Sequence, residues 1–295
     1  MSNEEHKGAT PQESLEKGPD FASIMRLALH GSYTVHETLG EKGEESVEKN
    51  QFGETTLRID MEAEEIVLQT LREARIPIRV IAEEHGTVDI TSNPKYLGVL
   101  DGLDGTNRYQ AGRGRERYGT MFGVFSSLNP TYSDYLSSGI MEHSTGKLFV
   151  ANKGAGSFVI EKGEKLPIHA SGREHLDAKT RIYINQYFDV CRNISDKLGS
   201  LQFSDPRAYV AYFSDLASGA VDLVVSSTGK NNLELAIGYG LITEAGGMVV
   251  DIHGESLGNK KYLEFGQKEQ FPIIASSTAQ LVQELLSHVG SKGNP

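Results

Sequence analysis

From Arg79 to Gly163 the apolar residues come in runs too short for helices, each closed by a polar or glycine-containing turn, and this pattern demands a sheet. The runs Arg79 to Ala82, Tyr96 to Leu100 and Gly119 to Phe125 read as strands, and the first two end on carboxylates, Glu83-Glu84 and Asp101. GKLFVAN, the turn KGAG and SFVIEKG form a hairpin between Gly146 and Gly163 whose glycines suit positive φ angles. Upstream, Ile24, Leu27 and Ala28 recur at helical spacing. A second amphipathic helix opens at Asp60, with Ala63, Ile66, Val67, Leu71 and Ala74 inward and Glu62, Glu64, Glu65, Arg72 and Arg75 towards water, and Pro77 stops it. After Arg181 strand and helix alternate: RIYIN, a helix around Tyr209 to Ser218, AVDLVVSS, a helix from about Glu234 to Ala245, and MVVD. A Ser277-Thr278-Ala279-Gln280 capping box precedes a final helix. The expectation is an α/β (α+β) protein: a polar, mobile arm over 1–20, an α+β half over 21–180 and an α/β half over 181–295.

Charge and cysteine content narrow the function. The 295 residues carry 29 Lys and Arg against 40 Asp and Glu, a net charge of −11, which argues against a nucleic-acid polymer or an anionic membrane as partner. A single cysteine, Cys191, excludes an internal disulfide and a thiolate zinc cluster and fits a reducing compartment, so a cytoplasmic location is expected. No apolar h-region opens the chain and no stretch approaches 18 consecutive apolar residues, so neither a secretion signal nor a membrane span is expected.

The residues with the most chemical content are DGLDGTN, 101 to 107. Two carboxylates three apart at a strand end repel each other unless a cation lies between them, and hard divalent ions such as Mg²⁺ take carboxylate and carbonyl oxygens. The Gly-Thr that follows can turn backbone N–H groups towards a phosphate. Taken alone, the segment is equally a polar turn after a strand. AEEHG, 82 to 86, is a solvated turn by itself, but neighbouring strands can bring Glu83 beside Asp101 to share an ion. His85 reads as a solvent-facing turn residue, Asp60 alone as a helix cap, and Glu234 alone as an exposed first-turn carboxylate.

In combination these segments resemble the inositol monophosphatase and fructose-1,6-bisphosphatase superfamily of Mg²⁺-dependent, Li⁺-sensitive phosphatases. The family's acidic pair stands here as AEE, its DPxDGT motif as DGLDGT, and its late carboxylate with TEAGG as ELAIGYGLITEAGG; GKLFVANKGAGSF and FPIIASSTAQLVQEL are similar to its Gly-rich hairpin and terminal strand and helix. The resemblance covers about residues 21 to 290. It implies an α-β-α-β-α sugar-phosphatase-like fold, two or three Mg²⁺ ions, and metal ligation by Glu83, Asp101, the Leu103 carbonyl, Asp104, Glu234 and, less firmly, Glu84. Gly105 and Thr106 are implied to bind the substrate phosphate, and Asp60 with Thr106 to activate water. The implied reaction is hydrolysis of a small inositol or sugar phosphate, and since the family often dimerises the resemblance also allows a homodimer.

Departures from the family bear on the substrate. Leu233-Glu234 stands where inositol monophosphatases have Trp-Asp, and Ser227 where they have a Glu for the substrate hydroxyl, which argues against a dedicated inositol pocket. Gly102 replaces the proline of the metal loop, loosening its unfolded state without removing a ligand. RYQAGRGRERY, 108 to 118, carries Arg108, Arg113, Arg115 and Arg117 against Glu116. It reads as a solubilising loop or, with Lys230, as a second anion site, because guanidinium forks suit phosphate oxygens. Alternatives are therefore a 3′(2′),5′-bisphosphate nucleotidase, a fructose-1,6-bisphosphatase and, in a different class, a catalytically silent metal- or phosphate-binding regulatory protein.

Overall fold

The computed structural model describes residues 18–50, 53, 55–112 and 115–291. Of the arm expected over 1–20, residues 1–17 lie outside the described residues. Asp20 caps the first helix, α1 (Phe21–Leu39), accepting from the Ser23 N–H at 3.2 Å. A two-stranded ribbon of β1 (Ser46–Lys49) and β2 (Thr55–Leu57) leads into α2 (Arg58–Glu73). That helix starts two residues before Asp60, which lies in its first turn rather than at the cap. Glu64, expected in water, is fully buried, whereas Ala74, expected inside, is exposed just past the helix end.

The expected runs and hairpin are β3 (Ile78–Ala82), β5 (Tyr96–Asp104), β6 (Gly119–Phe125), β8 (Lys147–Asn152) and β9 (Gly156–Glu161); β4 (Gly86–Asp89), β7 (Tyr135–Glu142) and β10 (Glu164–Ile168), which the sequence did not single out, join them, with the short α3 (Thr106–Ala111) between β5 and β6. They form one eight-stranded sheet in the order β10-β9-β8-β7-β6-β5-β3-β4. All neighbours pair antiparallel except β3 and β5, which run parallel. The later chain supplies β11 (Ile182–Ile184), α4 (Asp189–Ser195), α5 (Tyr209–Ala217), β12 (Leu223–Ser227), α6 (Leu233–Glu244), β13 (Met248–Asp251), β14 (Pro272–Ser276) and α7 (Ala279–Ser291). Its four strands make a second sheet, β11-β12-β14-β13.

Alternation along the strands produces the layers. On β5, Leu97 and Val99 face one way, towards α5 and α6, while Leu100 joins Val67, Leu68 and Leu71 of α2 and Met25 and Leu29 of α1 on the other side. On β12, Val224 packs into the same central layer as α5 and α6, and Leu223 and Val225 face α4 and α7. The stack is helix, sheet, helix, sheet, helix, as the sequence implied. Cys191 is buried among the apolar residues of the α4 and α7 side. Lying between two sheets, α6 is apolar nearly all round. Glycine lets its neighbours close in: a Cβ at Gly238 would lie 2.2 Å from the Phe213 ring and one at Gly240 2.2 Å from Ser138 Oγ. Glu244 at its end accepts from Tyr135 Oη at 2.6 Å and from the Gly154 and Gly156 N–H groups at 2.8 Å, tying the β8–β9 turn to α6. The last helix is capped by Thr278, whose hydroxyl accepts from Leu281 N–H at 3.2 Å, and not by Ser277, which bonds the Arg173 carbonyl. Among the described residues no helix is long and apolar enough to cross a membrane.

Candidate active site

The parallel pair β3–β5 brings the first carboxylates together. Ala82 lies opposite Leu100, so Glu83 and Asp101 follow at adjacent strand ends, and Glu83 N–H donates to the Leu100 carbonyl at 3.1 Å. A β-bulge then sets the second. Asp101 pairs with Met121 and Asp104 with Gly119, so Gly102 and Leu103 together oppose the single residue Thr120. In a regular strand residues three apart point to opposite faces; the extra residue restores Asp104 to the face of Asp101. That face looks onto α6, where Glu234 occupies the second helical position. Carboxylate oxygens of Asp101, Asp104 and Glu234 lie within 4.8 Å of one another. The start of α6 is fixed by left-handed φ angles of 61° at Asn231 and 53° at Asn232, with Gly229 N–H donating to Asn232 Oδ1 at 2.7 Å. Asparagine tolerates that region better than most side chains.

Burial makes the cluster electrostatically costly. Asp101 is 1% exposed, and its pKa is held well above the usual carboxylate range by burial and then by repulsion from Glu83, Asp104, Glu234 and Asp60. Asp60 is pushed up in the same way, by burial and then by Glu83, Glu84 and Glu64, while a hydrogen bond from Thr106 pulls it down. A divalent cation would relieve this repulsion, and the donors are all oxygens, the set that suits Mg²⁺. The residues therefore fit the ion that the sequence implied. Asp104 is further oriented by the Val210 N–H of α5, 2.6 Å from its Oδ2.

Thr106, at the start of α3, places its hydroxyl 3.0 Å from the Leu103 carbonyl and also within hydrogen-bond reach of Asp60. Gly105 has φ of 86°, and a Cβ there would sit 3.1 Å from the Arg117 carbonyl and 3.2 Å from Ala208 Cβ. Only glycine meets both demands. At Gly102 a Cβ would lie 2.5 Å from the Asp60 carbonyl oxygen, so glycine here is what lets α2 rest on the loop that follows Asp101.

Several supporting residues were not legible as such in the sequence. Glu64 accepts from the backbone N–H groups of Glu84 and His85 at 3.0 and 2.9 Å and from His85 Nδ1 at 2.8 Å, shaping the turn that presents Glu83. Its spacing of four from Asp60, one helical turn, was the available signal. His85 is accordingly part-buried and bonded, not a free turn residue, and the hydrogen bond to Glu64 raises its pKa. Glu84 is held by the Thr56 hydroxyl and by Asn50 Nδ2 at 3.4 Å.

The basic segment divides. Arg117 is committed to the fold: Nε lies 2.5 Å from Glu142, Nη2 2.8 Å from Ser214 Oγ and Nη1 2.6 Å from Asp215. Arg108 stands 3.6 Å from Glu116, and Arg115 is exposed. Arg113 lies outside the described residues, as does the side chain of Lys230.

The profile of the inositol monophosphatase family matches residues 20–290. A bifunctional NADP phosphatase/NAD kinase of Methanococcus maripaludis is 29% identical over 250 residues, covering 79% of this chain and 43% of that protein, so the chain spans less than half of that relative's length. A fructose-1,6-bisphosphatase/inositol-1-monophosphatase of Thermococcus kodakarensis is 28% identical over 250 residues, 83% of this chain and 87% of that protein. Among solved structures, the extragenic suppressor protein suhB of Bartonella henselae superposes with a TM-score of 0.74 over 94% of this chain and 100% of its own, at 18% identity. Leishmania major fructose-1,6-bisphosphatase gives a TM-score of 0.72 over 94% and 97%, at 16% identity. At these identities the structural likeness is one of fold.

Proposed function

Since the chain belongs to the inositol monophosphatase family, whose members are phosphoric monoester hydrolases, we propose that it is a Mg²⁺-dependent phosphatase of a small inositol or sugar phosphate, acting by direct attack of water. The observation that carries this reading is the convergence of Asp101, Asp104 and Glu234, with the buried Asp60 among the acidic groups that act on Asp101. Glu83, Asp101, Asp104, Glu234, the Leu103 carbonyl and Glu84 would hold the ions. Bound Mg²⁺ supplies charge neutralisation at the phosphoryl group and acidifies the attacking water.

The chain's own part is orientation and proton transfer. Thr106 has one hydroxyl hydrogen and two acceptors, Leu103 O and Asp60. When that hydrogen is turned to Asp60, the Thr106 oxygen is free to accept from the water. Asp60 then takes the proton as the water attacks, a role suited to a carboxylate whose burial and acidic neighbours raise its basicity. Gly105 and Thr106 backbone N–H groups hold the phosphate, and Arg113, Arg115 and Lys230 bind a second phosphate where the substrate carries one. A nucleotide phosphate is the second reading, favoured by the similarity to the Methanococcus NADP phosphatase.

Phosphate release from a panel of inositol, sugar and nucleotide esters, with Mg²⁺ and with added Li⁺ or EDTA, tests the proposal. Wild type is expected to turn over at least one ester in a Mg²⁺-dependent, Li⁺-sensitive manner and Asp101→Asn none. Equal, negligible release by both proteins on every ester would leave the silent regulatory reading in its place.

A further inference from the structure

The bulge that turns Asp104 towards Asp101 leaves one peptide, between Gly102 and Leu103, opposite Thr120. That peptide is held at both ends. Leu103 N–H donates to Asp101 Oδ1 at 2.9 Å, and the Gly102 carbonyl accepts from the Thr120 hydroxyl at 2.8 Å. Thr120 Oγ1 in turn lies 3.0 Å from His143 Nε2, and both residues are buried. A carbonyl only accepts, so the single hydroxyl hydrogen of Thr120 goes to Gly102 and the hydrogen on the second contact comes from His143. Burial, with a smaller contribution from His36, keeps the His143 pKa well below 6.5, so the ring is neutral and carries its one hydrogen on Nε2. Its Nδ1 then has no partner among the described residues and sits beside the rings of Tyr33, His36 and Tyr118. An unpaired buried nitrogen is destabilising, a cost that a hydrocarbon side chain at this position would avoid. What the imidazole supplies in exchange is the donor to Thr120.

We propose that Thr120 and His143 are positioning residues for the metal centre: the chain His143 Nε2–H to Thr120 Oγ1–H to Gly102 O, and across the peptide from Leu103 N–H to Asp101 Oδ1, fixes the orientation of the Asp101 carboxylate. Hydrogen bonds in series through a buried region polarise one another, so removing a distant donor is felt at the carboxylate. The inference rests on Asp101 being a metal ligand.

Mn²⁺ titration calorimetry on the full chain separates the two ideas. Thr120→Val, nearly isosteric, is expected to raise the Mn²⁺ Kd about tenfold, in the range for residues that orient metal ligands, while Thr120→Ser stays within about threefold of wild type. His143→Phe is expected to weaken Mn²⁺ as Thr120→Val does, and His143→Gln, whose amide nitrogen can replace Nε2, to recover part of the loss. Binding by Asp101→Asn equal to wild type would remove the ligand assignment itself. If Asp101→Asn abolishes binding but Thr120→Val leaves it at the wild-type value, the positioning role alone is refuted. Should the Val and Phe variants fail to fold, long-range ¹⁵N correlation spectra of the wild-type histidines decide the matter: a His143 resonance pattern of the Nδ1–H tautomer overturns the proposed chain, and the Nε2–H pattern supports it.

Discussion

Gly102→Ala probes the coupling of α2 to the loop that follows Asp101 with a single added carbon. Its Cβ would stand 2.5 Å from the Asp60 carbonyl oxygen and 2.8 Å from Glu64 Cγ, whereas ordinary van der Waals contact begins at 3.4 Å. The Glu64 side chain can rotate a little; the Asp60 backbone, buried in the first turn of α2, cannot move without the helix. The helix and the loop must therefore separate by about 0.9 Å, the gap between 2.5 and 3.4 Å. Overpacking of this kind costs about 1–3 kcal/mol, which for a chain of this length lowers Tm by roughly 2–6 °C. The larger effect falls on chemistry, because the displacement moves Asp60 relative to Thr106, and misplacement by about 1 Å can reduce turnover about 100-fold. Phosphate release at saturating Mg²⁺, paired with a thermal melt, measures both. The variant is expected to stay folded and to lose turnover by roughly 30-fold or more, with little change in KM. Turnover within about threefold of wild type and an unchanged Tm would refute the claim that glycine is required by the approach of Asp60.

Other perturbations test the scaffold. Arg117→Met leaves Glu142, 1% exposed, without its cation and is expected to cost about 3 kcal/mol in a denaturant melt, part of it recovered by adding Glu142→Gln. Burial alone would raise the Glu244 pKa, but the hydrogen bonds from Tyr135, Gly154 and Gly156 outweigh it and leave the carboxylate below its usual 4.5. Its contribution is thus complete above that pH and fades as the pH falls through the depressed value; Glu244→Gln should lose about 1–2 kcal/mol at neutral pH, with the two proteins converging in acid. A difference that stays constant into strong acid would contradict this. Arg207 holds φ at 57°, a region costing an ordinary side chain about 1–2 kcal/mol. Arg207→Gly should raise stability by up to about 1 kcal/mol, and a lower Tm would show that the arginine contacts outweigh the strain.

Much of the layered fold was legible because its cues are local. Short apolar runs closed by polar residues marked β3, β5 and β6 to within a few residues, and glycines marked the β8–β9 turn. The acidic segments AEE and DGLDGT could be read because each directly follows an apolar strand. What was illegible depends on what lies across from a residue. Glu64 reads as a solvent-facing helix position until the Glu84–His85 turn is known to fold over it. Thr120 looks like one polar residue within an apolar strand until the bulge puts it opposite the Gly102 carbonyl. Arg117 resembles its neighbours in a basic loop, and only the arrival of Glu142 and Asp215 from distant elements distinguishes it. The helix starts at Arg58 and after Thr278 shifted by one or two residues, where neighbouring candidates differ little in intrinsic preference.

Glu83 follows β3, and Asp101 and Asp104 lie on β5 of the large sheet, whereas Glu234 heads the helix held between the two sheets. If they share an ion as proposed, it would be a fastener as well as a reagent, tying together segments far apart in the chain. By mass action such a fastener adds about 2.7 kcal/mol to the folded state at a concentration about one hundred times its Kd. The working enzyme and the sturdiest form of the molecule are then the same species, and chelation would loosen the joint it silences.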